Sequence, residues 1–175
     1  MPMLGRILTM ALALLGGVSF SQAPEFTQQY RQRIGGAMDE LRILIADFDS
    51  QAQRNGLDRE QALDIYAASP ESFLRNQGES MRRTFGRFEA LSRQQQELAA
   101  APPLARPFIV LRDPDSTIFA NAWRDFVPAV PVDVPGLIWA AAGVFCGWLV
   151  ALLCAAARRG VVRAVKRPKN VPTGA

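Results

Sequence analysis

From Leu137 to Ala157 the chain runs for 21 residues without a charge, and only Gly143 and Gly147 fall outside the strictly hydrophobic set. A backbone in such surroundings must satisfy its own N–H and C=O groups, so the run is a helix. At 1.5 Å per residue it reaches about 30 Å, the thickness of a bilayer's hydrocarbon core. A helix in a water-soluble core rarely lacks a polar face altogether. The run is followed at once by Arg158, Arg159, Arg163, Lys166, Arg167 and Lys169. A basic cluster in that position stops transfer and stays cytoplasmic. It also offers contacts to anionic lipid at about 1 kcal/mol per nearby basic residue, with Arg158, Arg159, Arg163, Lys166 and Arg167 the nearest.

The other end of the chain reads similarly. Ile7 to Pro24 carries no charge, with Arg6 before it and Glu25 after it. Eighteen residues just suffice to span if Arg6 snorkels to the interface. A cleaved signal with its apolar region over residues 7–20 is the alternative, with Ser19 and Ser21 as the small residues before a cut at Gln22. The most Ala-x-Ala-like site ends at Ala23, where Pro24 would block the cut. Either way the following residues lie outside the cytoplasm. The charge map agrees: all 16 carboxylates of the chain fall within residues 25–133, between two basic-flanked apolar ends. The expected organisation is an N-terminal transmembrane helix or signal anchor over residues 1–23, a periplasmic helical domain over 24–134, a C-terminal transmembrane helix over 135–157 and a basic cytoplasmic tail over 158–175.

Between the apolar ends the pattern is helical. Ile34, Met38, Leu41, Ile45, Phe48 and Ala52 recur at heptad spacing, extended upstream by Tyr30 and Phe26. Pro24 suits the first turn of this helix, and Asn55-Gly56 suits its end. Asp58 with Gln61 forms a capping box for a short helix to about Ala68. Ser69-Pro70-Glu71 reads as the cap and first turn of the next, whose stripe is Leu74, Gly78, Met81, Phe85, Phe88, Leu91 and Leu98. Ala101-Pro102-Pro103 ends it. Two long heptad helices joined by a short connection run antiparallel, with partner numbers summing to about 124–126 and Phe48 opposite Gly78. Phe108 to Leu111 is an apolar run of either type. Asp115 caps a short helix whose Ile118, Phe119, Ala122, Trp123 and Phe126 share a face that rests on the bilayer surface or on the hairpin base. The fold class expected is an all-α membrane protein, two transmembrane helices flanking a periplasmic antiparallel helical hairpin with a short amphipathic helix near the membrane.

Little catalytic chemistry is available. The chain has no histidine and two cysteines, which excludes imidazole bases, His-ligated metals and a disulfide framework. Cys146 and Cys154 are eight residues apart on one helix, too far to bridge. Between the spans there is also no lysine. Asp47-x-Asp49 begins like a calcium loop but lacks its glycine and closing glutamate, and Asp113-Pro-Asp115 reads as a turn with a cap. Arg82, Arg83 and Arg87, with Arg75 and Arg93, form a basic face that suits an anionic headgroup or is simply solvated beside Glu79 and Glu89. No catalytic, cofactor-binding or metal-ligating residue is expected, and nucleic acid is excluded by location. The interaction motif is Gly143-x-x-x-Gly147, which lets two helix backbones approach. Its partner is the first span of the same chain, through Gly16 and Gly17, another membrane protein, or a second copy in a homodimer. Val150 and Cys154 should continue its face, with Trp139 on the same side.

Pro24-Glu25-Phe26, Gln29-Tyr30, Gln32-Arg33, Phe48, Ser69-Pro70, Phe73 and Gly78, followed by Trp123, Phe126 and Pro128, together resemble the proteobacterial inner-membrane family catalogued as domain of unknown function twenty-nine thirty-seven. The resemblance implies a bacterial inner-membrane protein and brings no activity, cofactor or site residue. The function expected is that of a non-enzymatic accessory or scaffolding subunit presenting a periplasmic hairpin. The alternative is a sensor-like or anionic-lipid-binding module that acts through a partner. An enzyme acting on lipid or cell wall would have to work without His, Cys or Lys.

Overall fold

The computed structural model describes residues 3–165. Its elements are α1 (Met3–Arg54), α2 (Arg59–Ala68), α3 (Ser72–Ala100), a 3-10 turn (Pro103–Ala105), α4 (Arg106–Arg112), α5 (Ser116–Arg124) and α6 (Val134–Val165). Among the described residues the protein is all-helical, and α1 and α6 are long and apolar enough to cross a membrane. The expected start at Pro24 is corrected. The apolar N-terminal segment and the first heptad helix are one helix of 52 residues, with Pro24 in its interior. A proline there costs the hydrogen bond it cannot donate and a clash with the preceding turn. Here the helix carries on through it, in long helical flanks. The chain forms two compact units, one from its two ends, through Glu25 and from Pro128 onward, and one from Phe26 to Val127.

In the Phe26–Val127 unit the caps do much to set the boundaries. Gly56 adopts φ +69°, and the Gly56 and Leu57 N–H groups donate to the Gln53 and Ala52 carbonyls, both at 3.0 Å. That is a Schellman end for α1, and the positive φ is why glycine stands there. Asp58 and Gln61 form the reciprocal capping box of α2. Ser69 does not cap α3 as its sequence context suggested. It closes α2, while its hydroxyl accepts from the Glu71 N–H at 3.2 Å and α3 starts at Ser72.

The core of this unit forms two clusters. One joins Tyr30, Ile34, Leu91, Leu98, Val110, Ile118 and Ala122; the other joins Phe48, Ala52, Ala62, Leu63 and Phe85. Most of the two heptad stripes therefore face inward, although Leu74 is left exposed. Tyr30 reaches Gln94, in keeping with the expected sums, but the expected Phe48–Gly78 pairing does not form. Phe48 packs edge-on to Phe85 at 5.6 Å between centroids, and a Cβ on Gly78 would meet Tyr66 and Leu63 of α2 instead. The short connection between α1 and α3 is itself a helix, and Gly78 is where it comes close to α3. The Phe108–Leu111 run is helical, as α4. The aromatic face of α5 packs on α1: Phe119 and Trp123, with Phe126 just past the end of α5, surround the Phe26 ring at 5.1, 5.8 and 5.6 Å.

In the other unit Asp133 caps α6, accepting from the Gly136 N–H at 3.0 Å. α6 continues to Val165, so the first residues of the basic tail extend a helix. Arg158 is exposed on it; Lys166 and Arg167 lie outside the described residues, as do the side chains of Arg159 and Arg163.

Candidate functional site

A close backbone approach lies between α1 and α6 within the unit built from the chain ends. Gly16 and Gly143 lie so near that a Cβ on either would strike the other's carbonyl, and a Cβ on Gly147 would strike the Leu12 carbonyl. Gly17 faces Val144, whose methyl would lie 2.7 Å from an added Cβ. Gly143 and Ala151 are buried, Gly147 and Ala140 half-buried, and the Phe20 and Trp139 rings meet at 6.1 Å. The inward face of α6 thus steps Ala140, Gly143, Gly147, Ala151. Val150 and Cys154, expected on it, are exposed. At 3.6 residues per turn Ala151, four residues after Gly147, stays on the face and Val150, three after it, turns off it.

Large side chains lie outside this pair. Leu14, Val18, Phe145 and Leu153 are each about three-fifths exposed. Small residues inside and bulky apolar ones outside reverse the order of a water-soluble helix pair, and suit a solvent as apolar as the side chains. Two hydroxyls bond to their own helix, Thr9 to the Gly5 carbonyl at 2.9 Å and Ser21 to the Val18 carbonyl at 2.8 Å. That removes their cost in an apolar setting.

A polar knot at one end of the Phe26–Val127 unit went unread in the sequence. The Tyr30 side chain is fully buried. Its hydroxyl donates to Gln94 Oε1 and accepts from the Asp115 N–H, both at 2.9 Å, and Gln94 Nε2 donates to the Asp113 carbonyl. The α3–α4 side and the start of α5 are thereby tied to α1 by groups left with no alternative partner in the core. Gln29 Nε2 donates to the Val127 carbonyl at 3.0 Å and its Oε1 accepts from the Val127 N–H at 3.4 Å. In the other unit Gln22 makes the same two-way pairing with Ala129, at 3.1 and 3.0 Å. The spacing of seven between the two glutamines was a visible signal, as were Pro128 and Pro131, which keep the facing segment out of a helix.

Many of the charged groups are engaged with one another. Asp49 receives a two-pronged pair from Arg59 at 2.8 and 2.6 Å, and that guanidinium stacks over the Phe85 ring at 4.4 Å. The hydrogen bonds from Arg59 hold the Asp49 carboxyl below its ordinary value. Arg33 at 2.9 Å does the same to Asp125. On the basic face Arg82 meets Glu60 and Asp64, Arg83 meets Glu79, and Arg87 meets Asp115. Arg75 donates to the Ser69 and Pro70 carbonyls. Asp115 caps α5 through the Ile118 N–H. Among the described residues no three His, Cys, Asp or Glu side chains gather as a metal site would need. A cleft of about 230 Å³ at the hairpin tip is lined by Phe48, Leu57, Ile65 and Tyr66 among others, smaller than a usual small-molecule pocket.

The fold and its close glycine pair define a helical protein with two helices fit to cross a membrane. The chain belongs to the family described as protein of unknown function, DUF2937, which it matches over residues 4–164. No curated protein and no solved structure matches it.

Proposed function

We propose that this is a two-span protein of a bacterial inner membrane, with both ends in the cytoplasm and residues 24–134 in the periplasm, acting as a non-enzymatic accessory or scaffolding subunit. The observation that carries the reading is the reversed order of the α1–α6 pair, with glycines in contact and large apolar side chains outward. The basic cluster after Ala157 supports the orientation. α1 runs unbroken from the apolar segment to the hairpin tip, and its segment before Pro24 is already occupied as the packing partner of α6; both favour a retained anchor over a cleaved signal. Because Gly143 and Gly147 are taken up within the chain, a second copy or another subunit would dock on other surfaces. The absence of His, Cys and Lys between the spans argues against chemistry there that rests on an imidazole base, a thiol or an amine. The unbroken α1 also favours a second reading, a sensor-like module that passes a displacement of its hairpin through the membrane to a partner.

Purification of the tagged full chain in mild detergent, followed by mass spectrometry, tests the subunit role. A stoichiometric membrane protein that remains bound after gel filtration is the expected result. A chain that elutes alone, with no partner at any detergent concentration that keeps it folded, contradicts it.

A further inference from the structure

The short stretch formed by the 3-10 turn and α4, Pro103–Arg112, has two apolar sides. Pro107 and Val110 are buried, and Val110 belongs to the cluster that holds Tyr30 and Ile34. Leu104 and Leu111 point outward, 39% and 66% exposed. A short stretch of this kind gains little by showing leucine to water, since each exposed side chain forgoes part of the stabilisation that burial gives. Trp123, on α5 of the same unit, is 68% exposed.

What lies beside this face follows from the path of the chain. Phe26 packs against the cluster that α4 backs onto, and Phe26 is the residue with which α1 enters this unit. Val127, where the chain leaves the unit, is held to α1 by Gln29, three residues on from Phe26. Thus α4 lies at the end of the unit where the chain enters and leaves, which on the two-span reading is the end next to the bilayer. The charge pattern fits as well. Residues 98–112 contain Arg106 and Arg112 and no acid, the longest acid-free stretch between Phe26 and Val127. Arg112 reaches Glu97 at 2.8 Å on an exposed surface, and Arg106 donates through Nε to the Ala101 carbonyl at 3.2 Å, which leaves both guanidinium groups further donors.

We propose that the outer face of Pro103–Arg112 lies on the lipid surface, with Leu104 and Leu111 in the headgroup–acyl boundary and Arg106 and Arg112 toward the phosphates. An apolar strip flanked by arginines is the composition of a helix lying in that interface. The inference rests on the two-span reading, and its test separates the two. In full-length protein carrying Cys146→Ala and Cys154→Ala, single cysteines replace Leu111, Ile65 or Phe145, each labelled with an environment-sensitive fluorophore. The protein is reconstituted in vesicles of phosphatidylcholine and phosphatidylglycerol. The Leu111 and Phe145 labels should lose emission to a lipid-borne nitroxide, and the Ile65 label, at the hairpin tip, should lose it severalfold more readily to aqueous iodide. A Leu111 label that iodide quenches like Ile65, while Phe145 remains lipid-quenched, overturns the docking alone. A Leu111 label shielded from both quenchers means that protein covers the face, and overturns it too. If Phe145 is also reached by iodide, the two-span reading falls, and the docking falls with it.

Discussion

A side chain at Gly143 would meet the Gly16 carbonyl and the Cβ of Phe20, and one at Gly147 would meet the Leu12 carbonyl. A carbonyl in a helix has no rotamer with which to yield, so the helices themselves must part. Gly143→Ile with Gly147→Ile should therefore cost at least the usual overpacking penalty of about 1–3 kcal/mol. The loss should be seen as a lower melting temperature of the detergent-solubilised protein and as reduced accumulation. Ala141→Ile, on the exposed side of α6, should change neither. Equal melting of the double variant and wild type would mean that the close contact contributes nothing. At the hairpin tip the Asp49–Arg59 pair makes a prediction in pH. Its carboxyl is held below the ordinary value in the folded chain. The pair's stabilisation is therefore present above the unfolded carboxylate pKa of about 3.9 and is lost as pH falls through the lower folded value. Asp125, lowered by Arg33, contributes in the same window. Asp49→Asn should flatten only part of the acid loss of stability, and an unaltered curve below about pH 4 would refute the pairing.

Among the elements, two glycines of α3 give opposite expectations. A Cβ at Gly78 would lie 2.7 Å from the Cβ of Tyr66, whereas one at Gly86 would meet nothing within 4 Å. Gly86→Ala should stabilise by about 0.5–1 kcal/mol through helix propensity alone. Gly78→Ala should gain the same amount and lose more, because α2 must lift from α3. Chemical unfolding should show changes of opposite sign; a stabilising Gly78→Ala would mean that α2 does not lie where Tyr66 places it. The ends of elements were legible where one residue's chemistry admits one role, as with Gly56 at positive φ, the Asp58–Gln61 box and Asp115 before α5. They were not legible where a residue serves two roles. Proline suits a first turn far better than a helix interior, so Pro24 marked a start where the helix in fact runs on. Ser69 caps from either side, and closes α2. The Phe48–Gly78 pairing failed because the stripe of each long helix was read against the other, with α2 treated as a connection rather than as a third packing partner for Gly78.

For the molecule as a whole, composition and charge carried further than local pattern. The apolar runs, the heptad stripes and the basic cluster after Ala157 were enough to anticipate an all-helical chain with two helices fit for a bilayer, and the family match over residues 4–164 agrees with the residues that suggested it. The partners of Tyr30, Gln29 and Gln22 were not legible, because a polar side chain names no partner by itself and theirs lie 64 to 107 residues away along the chain. The central claim, that residues 24–134 lie on one side of a bilayer and both chain ends on the other, is open to one direct measurement. Alkaline phosphatase, which matures only outside the cytoplasm, can be fused after Ala68, after Ala100 and after Ala175. Activity at Ala68 and Ala100 with none at Ala175 is the predicted result. An active fusion at Ala175 would contradict it.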